Sequence, residues 1–312
     1  MIKISAVICT FKRADYLRLA LRSLCDQTLA SGEYEVIVVD NAADKETAAV
    51  FHEYGDGRAN FRYVVENRVG LSHARNKGMK CAAGKYIAFM DDDARADDHW
   101  LETLMSAFEG LSPRPAAIGG RVWLDWHGER PRWVPDRHLS LYSSVDHGDK
   151  GHLLEETEYL VGANLAFNKQ ALYEAGGFDP NLGRQGSVLL SGEEGKVLQE
   201  LRNRHLGVYY EPGAVVWHSV PPSRQRPGWL LKRMFWDGAS QPLVNRPETG
   251  FSRRSLLSNA YTDLRQCVKW CGSTLGAVLS GKRSRAWESL LGLCQRAGRL
   301  RTQIRLLAWN HD

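Results

Sequence analysis

The strongest chemical potential in this 312-residue chain lies in three consecutive carboxylates, Asp91, Asp92 and Asp93, which follow the apolar run Tyr86–Met90. Like charges this close repel one another, and the cost grows as water is withdrawn. Either the three stand in open water or a cation lies among them. If the chain stays extended, alternation sends Asp91 and Asp93 to one side and Asp92 to the other. Hard divalent cations such as Mn²⁺ or Mg²⁺ take carboxylate and phosphate oxygens together. A cation held by Asp93 can therefore bridge to a diphosphate, with Asp91 directed at a sugar hydroxyl or at water on the ion. In isolation, a solvated acidic turn that also caps a helix at Asp97 is the simpler reading. A buried strand ending beside other polar strand ends reverses that preference.

The elements that must position these carboxylates alternate. Ile2–Cys9 and Glu35–Val39 are short β-branched runs of the kind buried on both faces of a parallel sheet. Between them Tyr16, Leu17, Leu19, Ala20, Leu21 and Leu24 give a helical face. A helix over 44–54, a strand over 61–65, a helix over 71–83, the strand over 86–90 and a helix over 97–110 continue the pattern. This order predicts an α/β fold with a mainly parallel sheet and right-handed crossovers. Further strands are expected over 116–123, 159–167, 207–210 and 214–217, and a helix over 191–204. Residues 124–157 read as an irregular, mobile excursion, and from about Pro227 onward the pattern is helical.

Ligands of an open parallel sheet bind beyond the carboxyl ends of its strands. Those ends carry Thr10, Asp40 with Asn41, Glu66 with Asn67, and the three aspartates. The next helix adds Arg75, Asn76 and Lys77. Such a rim is a polar pocket with both signs of charge. No GxGxxG follows the first strand, which removes the main support for a dinucleotide fold. Gly78 to Gly84-Lys85 has five intervening residues instead of the four of a P-loop, and Tyr86 stands where Ser or Thr would ligate magnesium. Phosphates must be held another way.

The segments SAVICTFKR, YEVIVVDNAAD, NRVGLSHARNKGMKCAAGKYIAFMDDDA, YLVGANLAFNKQALYEAGGFD, SGEEGKVLQELR and PGAVVWHSVPPSR occur in that order over about residues 2–225. Together they resemble the family two glycosyltransferases of the GT-A (Rossmann-like) fold. The resemblance implies a glycosyltransferase domain over 1–225, with a nucleotide-binding half to residue 115 and an acceptor and catalytic half beyond it. A basic helical extension over 226–312 follows. It implies that Thr10 and Arg13 lie in the first nucleotide-binding loop, that Asp40 meets the pyrimidine base, and that Arg75 lies beside base and phosphates. Asn67, Asp91 and Asp92 join the nucleotide side. Asp91 and Asp93 match the ends of a DxD metal motif, with the late His218 as a third ligand. An inverting transfer needs a base for the acceptor hydroxyl, which the resemblance places at Glu194 or Glu193. Glutamates in a first helical turn also favour the macrodipole without any chemistry. Trp123, Trp126 and Trp133 offer flat faces for sugar rings, and Asn164 lies in the acceptor-side strand.

The expected partners are a nucleotide-sugar donor, UDP-sugar foremost, and a glycan or lipid-linked acceptor. The expected cofactor is a divalent cation. Residues 251–312 hold eleven Lys/Arg against three acids in a chain of net charge +5, which leaves the remainder net acidic. That basic tail suits an anionic membrane surface or packs on protein. No reader motif accompanies it, so nucleic acid is not an expected partner. The start, MIKISAVICTFKR, does not read as a signal peptide. The six cysteines form no CxxC pair, which points to reduced thiols in a cytoplasm. A sugar nucleotidyltransferase also uses such a sheet and Mg²⁺, but TFKRADYL lacks its glycine-rich loop. A non-catalytic sugar-binding subunit is the remaining alternative.

Overall fold

The computed structural model describes residues 1–247 and 250–309, which form two compact units. The first comprises Met1–Pro180 with Glu193–Pro221. The second comprises Asn181–Gly192 with the described residues from Pro222 onward.

The first unit opens with β1 (Ile4–Thr10), α1 (Ala14–Cys25), β2 (Tyr34–Asp40), α2 (Lys45–Gly55), β3 (Phe61–Val65), α3 (Leu71–Cys81) and β4 (Tyr86–Asp91). A three-residue strand, β5 (Ala94–Ala96), precedes α4 (Trp100–Gly110). Then come β6 (Ala117–Trp126), a 3-10 helix over Asp136–Tyr142, β7 (His152–Leu153), β8 (Asn164–Asn168), α5 (Lys169–Glu174), α6 (Glu193–Asn203) and β9 (Val208–Val220). The sheet runs β3-β2-β1-β4-β8-β6-β9-β5, with β7 also on β9. β3, β2, β1 and β4 are parallel, β8 is antiparallel to both neighbours, and β6 and β9 are parallel.

β1 explains why these strands read as unbroken apolar runs. Ile4, Ala6 and Ile8 enter one core with α1, α2 and α4, while Val7 enters the opposite core with α3, α5 and α6. Each fully buried Ile or Leu contributes roughly 1.5–3 kcal/mol. The chain winds outward through β1, β2 and β3, then returns to place β4 on the other side of β1. This reversal is a topological switch point, where a crevice opens beyond the strand ends. Thr10 and the three aspartates stand there.

Three expectations change in the structure. β8 begins at Asn164 and not at residue 159, because 159–163 run as an irregular connection. The two short strands over 207–217 are one strand, β9. Pro212-Gly213 suggests a turn, yet pairing with β6 jumps from Gly120–Glu211 to Arg121–Val215, so the intervening residues bulge out and the strand continues. The excursion over 124–157 is built, with Tyr142 and Val145 buried, Val145 bridged to Val122, and Arg121 holding Asp146 and Asp149.

The bulge depends on a missing side chain. A Cβ at Gly120 would lie 1.9 Å from the Ala214 carbonyl oxygen and 2.5 Å from Asn164 Nδ2. Gly120→Ala is therefore expected to destabilise the first unit by about 1–3 kcal/mol. Chemical denaturation checks it, and an unchanged midpoint would mean that the bulge does not need the glycine.

The second unit contains α7 (Pro227–Val244), α8 (Arg253–Leu279) and α9 (Arg283–Trp309). α7 and α9 approach closely, since a Cβ at Gly238 would lie 1.8 Å from the Gln295 oxygen and one at Gly298 1.8 Å from the Phe235 oxygen. α8 lays Leu256, Asp263 and Ala277 inward. Asp263 accepts hydrogen bonds from Arg296, Arg299 and Gln303 of α9. Among the described residues, no helix is long and apolar enough to cross a membrane.

Candidate functional site

β4 is extended only to Asp91; Asp92 and Asp93 lie in the turn leading to β5. The separation of the three carboxylates therefore comes from that turn and not from strand alternation. Asp92 Oδ2 accepts from Thr10 Oγ1 at 2.8 Å, and its Oδ1 accepts from Arg13 Nη1 at 2.7 Å. Arg13 Nη2 donates to Asp93 Oδ2 at 2.6 Å. Arg13 is thus the internal counter-ion that ties α1 to the aspartate turn, and Thr10 caps the same carboxylate from β1.

His218 reaches the aspartates through strand pairing. It lies opposite Ala94 in the β5–β9 ladder, and the Ser219 N–H donates to the Asp93 carbonyl at 2.8 Å. Its ring is fully buried, and neither nitrogen has a hydrogen-bond partner. Nε2 stands 3.3 Å from Asp93 Oδ1 and 3.8 Å from Asp91 Oδ2. One ligand atom from each of Asp91, Asp93 and His218 falls within a 4.8 Å cluster. A buried imidazole without a hydrogen bond, facing two carboxylates, is a costly arrangement unless a cation completes it. The donor set, two carboxylates and an imidazole, suits a divalent first-row metal.

Arg75 joins this cluster to the glutamates. α3 sits close on β1 because Gly78 has no Cβ, which would meet Val7 Cγ1 at 2.4 Å. Arg75 is consequently buried. It donates from Nη1 to Glu193 Oε1 at 2.8 Å and from Nη2 to Asp91 Oδ1 at 3.4 Å, and stands 3.8 Å from Glu194 Oε2. Its guanidinium also lies 5.4 Å from the Phe178 ring centroid. Gly162 makes room for it, since a Cβ there would be 2.1 Å from Nη2. The Gly162 N–H donates to Glu194 Oε1 at 3.3 Å. Sequence reasoning missed both Gly162 and Phe178; the signal was a glycine just before a strand, which is meaningful only once its neighbour is known.

The two glutamates differ. Glu193 is buried; burial, then the neighbouring Glu194, pushes its carboxyl up to about 8, while Arg75 pulls the other way. The 2.8 Å ion pair does not win because burial and the adjacent Glu194 charge together outweigh the pull of Arg75. Glu194 keeps 18% of its side chain exposed and remains accessible. Burial likewise pushes Asp92 up, against the pull of Arg13. Five carboxylates face two guanidiniums here, so the basin carries excess negative charge that a dication can neutralise.

This predicts how stability responds to pH when divalent ions are chelated. Because Glu193 has a higher pKa folded than unfolded, its stabilising contribution is complete below about pH 4.5. It is lost as pH rises toward about 8. Melting temperature in EDTA should fall across that window, and Glu193→Gln should flatten the fall. An equal slope in the variant would refute the assignment.

The remaining expected residues are placed as follows. Asp40 is buried at the end of β2, and its oxygens accept from the Ala42 and Asp44 N–H groups and from the Tyr63 hydroxyl at 2.5–2.8 Å. It therefore fixes the loop that follows. Asn67 is exposed after β3. Trp123 is 42% exposed on β6, beneath the Arg121 guanidinium. Asn164, expected to face the acceptor, lies inside the sheet. Its Oδ1 accepts from Trp100 Nε1 at 2.8 Å, and its Nδ2 donates to the Arg121 and Ala214 carbonyls at 3.0 and 2.7 Å. Its amide ties β8, β6 and β9 together.

Residues 5–174 match the sequence profile described as Glycosyl transferase family 2. The chain belongs to this family. This glycosyltransferase is 29% identical over 246 residues to a glucosyl-dolichyl phosphate glucuronosyltransferase of Haloferax volcanii, covering 78% of this chain and 77% of that one. Several further relatives are matched over less than half of their own length. Among solved structures, the mannosyltransferase PcManGT from Pyrobaculum calidifontis, in complex with GDP-Man and Mn²⁺, superposes with a TM-score of 0.63 at 17% identity. That match covers 99% of this chain and 88% of that one. S. aureus TarS 1-349 in complex with UDP-GlcNAc gives a TM-score of 0.54 at 16% identity, over 80% and 69% of the two chains. At these identities the structures establish the fold alone: the glycosyltransferase has the GT-A arrangement, a largely parallel sheet with flanking helices, followed by C-terminal helices.

Proposed function

We propose that this glycosyltransferase moves a sugar from a nucleotide-sugar, UDP-sugar foremost, onto a hydroxyl of a glycan or lipid-linked acceptor, with inversion. The observation that carries the reading is the convergence of Asp91, Asp93 and a buried His218 that lacks hydrogen bonds, beside the Arg75–Glu193–Glu194 group. Asp91, Asp93 and His218 would hold a divalent cation, Mn²⁺ or Mg²⁺, which when bound offsets charge building on the leaving diphosphate. The complexes of the structural neighbours with GDP-Man and Mn²⁺, and with UDP-GlcNAc, favour a nucleotide-sugar donor.

In this reading Thr10 and Arg13 fix the aspartate turn, and Asp40 shapes the loop beside the base. Glu194 accepts the acceptor hydroxyl proton as that oxygen bonds to the anomeric carbon, and the bond from that carbon to the diphosphate breaks. Arg75 and Glu193 hold the first turn of α6, so that Glu194 faces the open side. Trp123, exposed on β6, offers a flat surface to an acceptor sugar.

The test combines donor and cation. Purified protein is incubated with UDP- and GDP-sugars, with and without Mn²⁺, and nucleoside diphosphate release is measured. Cation-dependent release from one donor class is expected. Release of pyrophosphate from nucleoside triphosphate and sugar-1-phosphate, with none from nucleotide-sugars, would replace this reading by nucleotidyl transfer.

A further inference from the structure

α9, the helix whose apolar spacing is plain in the sequence, is packed between its neighbours, whereas α8 carries an open face. Leu257, Tyr261, Leu264, Val268, Leu275 and Leu279 are each 51–79% exposed. At 100° per residue they fall within about 40° of one line along the helix. The stripe is about 33 Å long. It lies opposite the side that Leu256, Asp263 and Ala277 turn toward the interior of the second unit. An unbroken apolar strip of this length on a soluble surface marks an interaction site.

Charge identifies the occupant. α8 has a single acid, Asp263, which is buried against Arg296 and Arg299. Beside the stripe stand Arg254, Arg265 and Lys269, with Arg253 at its start and Lys282 just beyond its end, all exposed. A second copy of α8 would bring these cations no exposed acid, only further basic residues. An anionic bilayer satisfies both features: acyl chains take the apolar line and headgroups take the cations, as for an amphipathic helix lying in the interface.

We infer that the exposed face of α8 docks this enzyme in the plane of an anionic lipid surface. This stands independently of the proposed reaction, although it would bring the enzyme to a lipid-linked acceptor. The test is flotation of the full chain with vesicles of phosphatidylglycerol and phosphatidylcholine, against phosphatidylcholine alone, at low salt. The parent should float with the anionic vesicles. Val268→Glu combined with Leu275→Glu should reduce the bound fraction at least tenfold. Arg265→Gln combined with Lys269→Gln should weaken binding roughly fivefold per charge, with steep salt dependence. The second pair leaves the apolar stripe intact, and so answers the question if the first pair unfolds. Donor cleavage measured on the same preparations should be unchanged, which separates failure of docking from failure of the reaction. The inference is overturned if the parent ignores anionic vesicles, if both pairs float like the parent, or if the parent is a dimer that the glutamate pair dissociates.

Discussion

Asp93→Asn is expected to lower turnover of the nucleotide-sugar by about 10³-fold and to abolish stabilisation by Mn²⁺ in a thermal-shift assay. Asp93 is buried, one oxygen facing Arg13 and the other His218. Removing its charge leaves the imidazole facing an amide and would reduce the carboxylates of the proposed cation site from two to one. Asp92→Asn is the informative control, because its oxygens are turned to Thr10 and Arg13. That change should lower stability and weaken cation affinity by only about 10- to 100-fold, as expected for a group outside the ligand set. Equal loss of Mn²⁺ affinity in both variants would mean that the three aspartates act as one diffuse charge, and the assignment of Asp93 would fall.

Glu194→Gln should lower kcat by 10²- to 10⁴-fold, the usual range for loss of a positioned base, while the donor KM stays within about threefold. Such a split is the signature of a group that acts on the acceptor proton and takes no part in donor binding. Glu193→Gln should differ in kind. Its side chain is buried against Arg75, so its loss redistributes that guanidinium toward Asp91 and Glu194. The expected result is an altered donor KM together with the flattened pH dependence of stability. Were Glu193→Gln to abolish kcat with KM unchanged, and Glu194→Gln to be nearly silent, the roles of the two would be exchanged.

Much of the scaffold was legible because its physics is local. Unbroken β-branched runs declare strands buried on both faces, as in β2, all seven of whose residues are buried. The alternation of elements let the polar strand ends be read as a rim, while the reversal between β1 and β4 shows only in the strand order. His218 could be singled out as a strand end, but its distance to Asp93 depends on β5, three residues too short to announce themselves. Asn164 shows the opposite limit. A buried amide and a ligand-facing amide have the same sequence, and only the carbonyls of Arg121 and Ala214 distinguish them. The segment 207–217 read as two strands where the structure has one, since bulges and turns draw on the same residues. The basic tail was visible as composition, but which of its helices keeps an apolar face open depends on the packing of α7, α8 and α9.

The route by which His218 arrives has a kinetic meaning. Asp91 ends β4 in the parallel half of the sheet, whose strands follow one another closely in the chain, and Asp93 follows in the turn to β5. The histidine comes on β9, far along the chain, which pairs with β5, β6 and β7. Contacts between such distant segments are slow to form, because loop-closure entropy must be lost first. A partly folded chain that lacks β9 would present the aspartate turn without its imidazole, and the proposed cation site would be complete only once that strand docks. A divalent cation would then act as a late folding clamp, slowing undocking of β9 by mass action on the completed sheet. Unfolding in Mn²⁺ should be slower than in EDTA, while the first steps of refolding proceed at the same rate in both.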